Sequence, residues 1–118
     1  MCELVFVYGS LKKDYSNHSV LGVDSKFISN AYTSNKYTMV SLGGFPGVLK
    51  DIPTSTIKGE VYKVEKLDRL DMLEGFPTFY NREKFTIQLG NKEADVWMYY
   101  LNYPAEYNKY EVIEDGEW

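Results

Sequence analysis

Apolar residues run without a break through Leu4-Val5-Phe6-Val7-Tyr8 and stop at Gly9. An unbroken run of β-branched and aromatic residues predicts a strand covered on both faces. Late in the chain the pattern changes: Phe85, Ile87 and Leu89 alternate with Lys84, Thr86 and Gln88, the period-two signature of a strand with one wet face. Gly90-Asn91 predicts a hairpin turn into a further strand over residues 94–101. Residues 37–42 and 57–64 predict two more strands. Gly43-Gly44 ends the first, and Phe45-Pro46-Gly47 predicts another turn before Val48-Leu49. Gly59 inside the second marks a bulge or a close backbone approach. Helical spacing occurs over residues 65–74, where Leu67, Leu70 and Leu73 repeat and Gly75 stands in the terminating position. Residues 10–30 read as a loop with one helical turn near residues 18–21. Pro104 ends the last long strand, and the tail carries a short strand at Val112-Ile113.

Several strands, one or two helices and no regular strand–helix alternation predict an α+β fold with a curled or barrel-like sheet. The sequence has no internal repeat, low-complexity stretch or linker. At 118 residues the expectation is a single domain spanning 1–118, able to hold one compact pocket.

Composition narrows the function. Hydrophobic residues make up 44% and aromatics 16% of the chain, eleven of them tyrosines, as expected of a folded protein with many half-polar ring surfaces. A net charge of -4 with scattered basic residues argues against a nucleic-acid partner. One cysteine, Cys2, and one histidine, His18, exclude an internal disulfide framework and cannot supply a zinc-type metal constellation without help from carboxylates. The apolar run at residues 4–8 is far shorter than a signal-peptide core and follows an acidic Glu3, and no segment has membrane-span length. The expected setting is cytoplasmic, with no membrane partner.

One acidic residue stands out. On a helical wheel, Leu67, Leu70 and Leu73 centre an apolar face on Leu70, and Glu74 falls about 40° from that centre. Asp68, Arg69 and Asp71 fall farther out, where solvated charges belong. Desolvation by Leu73, Phe76 and Phe79, and the negative end of the helix, would both raise the Glu74 pKa and suit it to general acid–base work near neutrality. Helix geometry alone leaves two readings open: an inward carboxylate, or a frayed helix end reaching water.

The turn at Tyr8-Gly9-Ser10-Leu11 has a complementary character. A strand that breaks at glycine leaves backbone N–H groups free, and Gly9 adds no side chain to block a small carboxylate or carbonyl oxygen. Ser10 has no nucleophile-elbow pattern around it and fits poorly as a nucleophile.

The run from Leu4 to Lys12, followed by Asn17-His18, resembles the N-terminal signature of the gamma-glutamylcyclotransferase-like family, most nearly its gamma-glutamylamine cyclotransferase branch. Gly59-Glu60-Val61-Tyr62, then Leu70-Asp71-Met72-Leu73-Glu74-Gly75 with Tyr80 and Arg82, then Val96-Trp97-Met98-Tyr99, and the ending Gly116-Glu117-Trp118 resemble further family blocks in order. The resemblance implies a small mixed β-barrel with flanking helices and a pocket at the barrel mouth. It implies that Tyr8, Gly9, Ser10 and Leu11 hold a γ-glutamyl group and that Glu74 is the acid/base. The implied reaction is attack of the substrate's α-amine on its own side-chain carbonyl, giving 5-oxoproline and a free amine or amino acid, with no cofactor.

Tyr99 is the second candidate pocket residue, as a substrate-orienting phenol. Arg82 reads as the partner of a carboxylate such as Asp71, His18 as a loop anchor, and Phe45-Pro46-Gly47 as either pocket rim or plain turn. The alternative to an enzyme is a non-catalytic module on the same fold that binds a small ligand or a protein. Retention of Glu74 on an apolar helix face speaks against it.

Overall fold

The computed structural model describes residues 2–9, 11–13, 18–22, 25–102 and 110–118. Five strands close into a barrel in the order β1 (Glu3–Val7), β5 (Lys58–Val64), β2 (Lys26–Thr33), β6 (Tyr80–Leu89) and β7 (Lys92–Leu101). Neighbours are antiparallel except at the closure, where β1 runs parallel to β7 with Val5 opposite Trp97. A closed barrel has no edge strand open to further pairing. A second sheet, in the order β4 (Pro46–Leu49), β3 (Thr38–Ser41) and β8 (Glu111–Ile113), packs on the barrel through β4 and β7. One α-helix, α1 (Asp68–Glu74), packs against a 3₁₀ turn, η1 (His18–Leu21). Among the described residues no helix is long and apolar enough to cross a membrane.

The unbroken apolar run of β1 has a structural cause. Val5 and Val7 enter one core with Leu21, Tyr62, Leu67, Leu70 and Leu101, while Phe6 enters a second with Met39, Val61, Ile87 and Met98. A strand between two cores has no face for polar residues. The β6–β7 hairpin keeps its expected alternation and its two-residue turn, with Leu89 opposite Lys92. It extends farther than the alternation predicts, back to Tyr80.

Three elements depart from the sequence reading. Strand β2 begins inside the stretch 10–30, expected to be loop, and runs on to Thr33; only Ala31 and Thr33 face inward, and the register slips between Phe27 and Ser29, so its period-two signal is broken. Pro46-Gly47 belongs to strand β4, not a turn. Proline fits there because it opens an edge strand, where a missing N–H leaves no ladder bond unmade. Helix α1 starts at Asp68, three residues later than expected, and its entry residue Leu67 makes no side-chain cap. Its end is as expected: Gly75 is left-handed at φ 65°, with Phe76 N–H bonded to Asp71 O at 2.9 Å and Gly75 N–H to Met72 O at 3.3 Å, the Schellman arrangement. Pro104 lies outside the described residues.

Gly59 marks a close approach. A Cβ there would lie 2.2 Å from the Val7 carbonyl oxygen, and both backbones are held in the β1–β5 ladder. Gly59→Ala is expected to lower stability by about 3 kcal/mol through overpacking, read from chemical denaturation midpoints. Gly44→Ala, with nothing within 4 Å of the added carbon, serves as a control with little change.

Candidate functional site

One end of the barrel holds a cavity of about 340 Å³. The end of β1 and the turn after it supply Val7, Tyr8, Gly9 and Leu11, and the start of β4 supplies Phe45 and Pro46. The end of α1 contributes Leu73 and Glu74, the approach to β6 gives Phe79 and Tyr80, and β7 gives Tyr99. The two segments singled out from the sequence, the turn after β1 and the end of α1, therefore meet on one cavity. Four of the five expected binding residues, Tyr8, Gly9, Leu11 and Tyr99, line it with Glu74. Ser10 lies outside the described residues, as do Asp14 and Asn17.

The packed face of α1 differs from the expected one in a way that strengthens Glu74. Leu67 and Leu70 are buried while Leu73 is 41% exposed. The inward arc thus runs from Leu70 toward Leu67, and Glu74 projects between the two at about 40° from Leu70. The frayed-end alternative fails because the Schellman closure holds the last turn. Burial raises the Glu74 carboxyl from its ordinary 4.5 to about 7. Desolvation of the anion is the cause, with no offsetting cation or hydrogen bond among the described residues.

The same rotation brings Asp71, expected among the solvated charges, into contact with the barrel. Its Oδ1 accepts from Arg82 Nε at 2.8 Å and from the Tyr99 hydroxyl at 2.5 Å, and its Oδ2 accepts from an Arg82 terminal nitrogen at 3.1 Å. The Arg82 guanidinium lies over the rings of Phe76, 4.7 Å from the centroid, and Trp97, 4.5 Å. Planar stacking plus a two-point carboxylate contact is an arginine-specific geometry. Arg82 is thus Asp71's partner, as its sequence context predicts, and Asp71 couples it to the cavity.

Two further phenols are held firmly. Tyr8 donates its hydroxyl proton to the Tyr99 carbonyl at 2.8 Å, and Tyr80 donates to the Pro46 carbonyl at 2.7 Å. Burial pushes the pKa values of Tyr8, Tyr80 and Tyr99 well up, and the nearby Glu74 adds to the effect on each. All three stay neutral. Tyr80 has no sequence signal as a pocket residue beyond its place in the block after Glu74, because a tyrosine opening a strand reads as core.

Gly9 has a firmer role than leaving room for a ligand. A Cβ there would meet the Pro46 ring at 2.7 and 2.8 Å, so the glycine lets the turn after β1 seat against β4. The Gly9 carbonyl accepts from Lys12 N–H at 3.0 Å, closing the turn. His18 Nδ1 donates to the Leu11 carbonyl at 2.9 Å and so anchors the turn. Lys12 is buried and its Nζ reaches the Trp118 carbonyl at 3.2 Å. Phe45 and Pro46 resolve to cavity wall, which no turn motif distinguishes from an ordinary β-turn.

Fold and site together make a small five-stranded barrel with a carboxylate set in an apolar, tyrosine-lined cavity at one end. The chain belongs to the family described as gamma-glutamyl cyclotransferase, AIG2-like, whose pattern matches residues 5–118. It is 44% identical over 119 residues to a Methanocaldococcus jannaschii protein provisionally named a gamma-glutamylcyclotransferase, across 98% of this chain and 95% of that one. It is 38% identical over 96 residues to the gamma-glutamylaminecyclotransferase of Homo sapiens, across 73% of this chain and 62% of the human one. The crystal structure of an AIG2-like protein from Mus musculus superposes with a TM-score of 0.84 at 25% identity, over 97% of this chain and 87% of that one.

The raised Glu74 pKa has a measurable stability signature. Between pH 4.5 and about 7 the unfolded chain loses this proton first, so Glu74 makes folding less favourable as pH rises through that window. Glu74→Gln removes the effect. Its stability relative to wild type is expected to rise from pH 4.5 to pH 8, by up to about 3 kcal/mol, in melting curves taken across that range. A pH-independent difference would mean that the carboxylate titrates as in water.

Proposed function

We propose that this protein is a gamma-glutamyl cyclotransferase, in which one domain spanning the chain converts a small γ-glutamyl compound to 5-oxoproline and a free amine or amino acid. The observation that carries the reading is Glu74: a carboxyl at a pKa of about 7 in a cavity otherwise without charged side chains among its lining residues. The family membership and the names of the relatives support the same chemistry. The substrate is a small soluble molecule, which suits the acidic surface better than a nucleic acid does, and the setting that fits a lone exposed thiol is a reducing, cytoplasmic one.

In this mechanism the substrate's α-amine attacks its own γ-carbonyl carbon. A new C–N bond closes the five-membered ring while the bond to the leaving nitrogen breaks. Glu74 takes the proton that the attacking amine must lose and returns it to the departing nitrogen, so the carboxyl ends as it began. A group whose pKa lies near the working pH can perform both transfers. Nucleophile and electrophile belong to one molecule, so the cavity walls chiefly hold the chain in a folded, near-attack shape. Tyr8, Gly9, Ser10 and Leu11 hold the γ-glutamyl group, with backbone N–H groups of the turn facing its carboxylate or the oxyanion that forms. Tyr99 orients the substrate.

Incubation with a panel of γ-glutamyl amines and γ-glutamyl amino acids, with chromatographic detection of 5-oxoproline, tests the reading and identifies the leaving group. Glu74→Gln is expected to reduce turnover by about 10²- to 10⁴-fold, the usual contribution of a positioned acid–base group, with its fold intact by circular dichroism. Turnover close to wild type would exclude the role of Glu74. Silence of the folded wild-type protein across the whole panel would favour a ligand-binding module. Wild-type kcat/KM is expected to fall as pH drops below about 7, because protonated Glu74 cannot accept the amine's proton.

A further inference from the structure

Three large apolar side chains stand half open to solvent around the cavity. Phe45 is 40% exposed, Leu73 41% and Phe79 43%, and all three line it, so they frame its opening. Phe45 and Phe79 meet edge to face with ring centroids 6.4 Å apart. Their backbones are fixed. The Phe45 carbonyl accepts from Leu42 N–H at 2.8 Å, the Phe79 N–H donates to the Gly75 carbonyl at 2.9 Å, and the Phe79 carbonyl accepts from Asn102 N–H at 3.2 Å. A single exposed leucine or phenylalanine is ordinary surface, but a group of them bordering a cavity marks a binding surface.

We propose that Phe45, Leu73 and Phe79 form the subsite for the substituent on the leaving nitrogen, and that the group released is an amine with an apolar chain or ring and not a zwitterionic amino acid. The assignment rests on the cyclotransferase reading, in which the leaving nitrogen comes within reach of Glu74 to receive its proton. Whatever that nitrogen carries therefore begins beside Glu74. The chain on either side of Glu74 belongs to the opening: Leu73 precedes it, and Gly75, which follows it, holds the Phe79 backbone. A cavity of about 340 Å³ is at the small end for a ligand site, so a substituent beyond the γ-glutamyl group extends through that opening. Glu74 is the one charged residue among those lining the cavity. A carboxylate on the substituent would lose water against apolar side chains, meet no cation among the lining residues and be repelled by Glu74. An alkyl or aryl chain would instead cover the three exposed side chains and be covered by them.

The test is a matched ligand pair: glutaric acid mono-n-pentylamide, and Nε-glutaryl-L-lysine, which has the same pentyl chain with an ammonium and a carboxylate added at its far end. Neither has an α-amine on the glutaryl group, so neither can cyclise, and both are titrated into the whole protein by calorimetry. Wild type is expected to bind the pentylamide about tenfold more tightly, the discrimination a modest apolar contact supplies. Phe45→Gln, Leu73→Gln and Phe79→Gln, all at half-exposed positions, are each expected to remove most of that preference. Glutaramate, which has no substituent on its amide nitrogen, is expected to bind these variants as it binds wild type. Equal affinity of wild type for the pair, a preference for the lysine ligand, or no binding of either would overturn the subsite. So would a preference that survives in all three variants, or glutaramate binding that falls in step with the pentylamide in all three, which would make the rim structural. In turnover the same order is expected, with kcat/KM higher for γ-glutamyl-n-pentylamide than for Nε-(γ-glutamyl)-L-lysine. Absence of 5-oxoproline from both would count against the reaction, while the titrations still decide the subsite.

Discussion

Everything at this site depends on one strand being buried on both sides. β1 pairs with β5 on one flank and closes the barrel against β7 on the other, and its alternate side chains feed two separate cores. A strand so enclosed has little freedom to shift its register, since a slip of one residue would exchange the contents of both cores. The turn that follows it is therefore delivered to a fixed place at the barrel end. β7, the other partner in the closure, carries Tyr99 to the same end. The accuracy of the cavity derives from the barrel's closure and not from its loops.

Against that rigid frame stands a carboxylate in an unfavourable place. Glu74 is surrounded by Leu73, Phe79 and three phenols whose protons point elsewhere. A structural carboxylate would be expected to recruit a cation, and Arg82 is only one strand away, yet its fork is taken by Asp71. The neighbouring pair thus keeps the strongest local cation away from Glu74. The two acids on one short helix have opposite environments: Asp71 is bonded on both oxygens, and Glu74 is left with desolvation alone. Different surroundings for two carboxylates on one helix are a recurrent way to obtain a group that titrates near neutrality, here Glu74.

The sequence carries much of this and loses the rest for identifiable reasons. β1, the β6–β7 hairpin and the end of α1 are legible because their signals are local: an unbroken apolar run, a clean alternation with Gly90-Asn91, and a glycine after helical leucines. β2 is hidden because its inward residues are Ala31 and Thr33, neither strongly apolar, and a bulge breaks the period between Phe27 and Ser29. Pro46-Gly47 reads as a turn because both residues usually make one; only the tertiary fact that β4 is an edge strand permits it. Glu74 and the turn after β1 are visible as oddities, and the family blocks link them. Asp71 is not, because a wheel drawn on three leucines points the helix about 30° from the face that actually packs. The partner that rotates it, Arg82, lies eleven residues away on another element.

The contact between Gly9 and Pro46 links the future of two sites that are distant in the chain. The absent side chain of one is filled by the ring of the other, at a distance that leaves no space for a further carbon. Drift at either position is therefore conditional on its partner: a side chain can arise at position 9 only after the ring at 46 has gone, and loss of the ring opens a gap in the cavity wall until something refills it. The two positions form one steric unit in the cavity wall, so the effect of a replacement at either depends on the residue at the other.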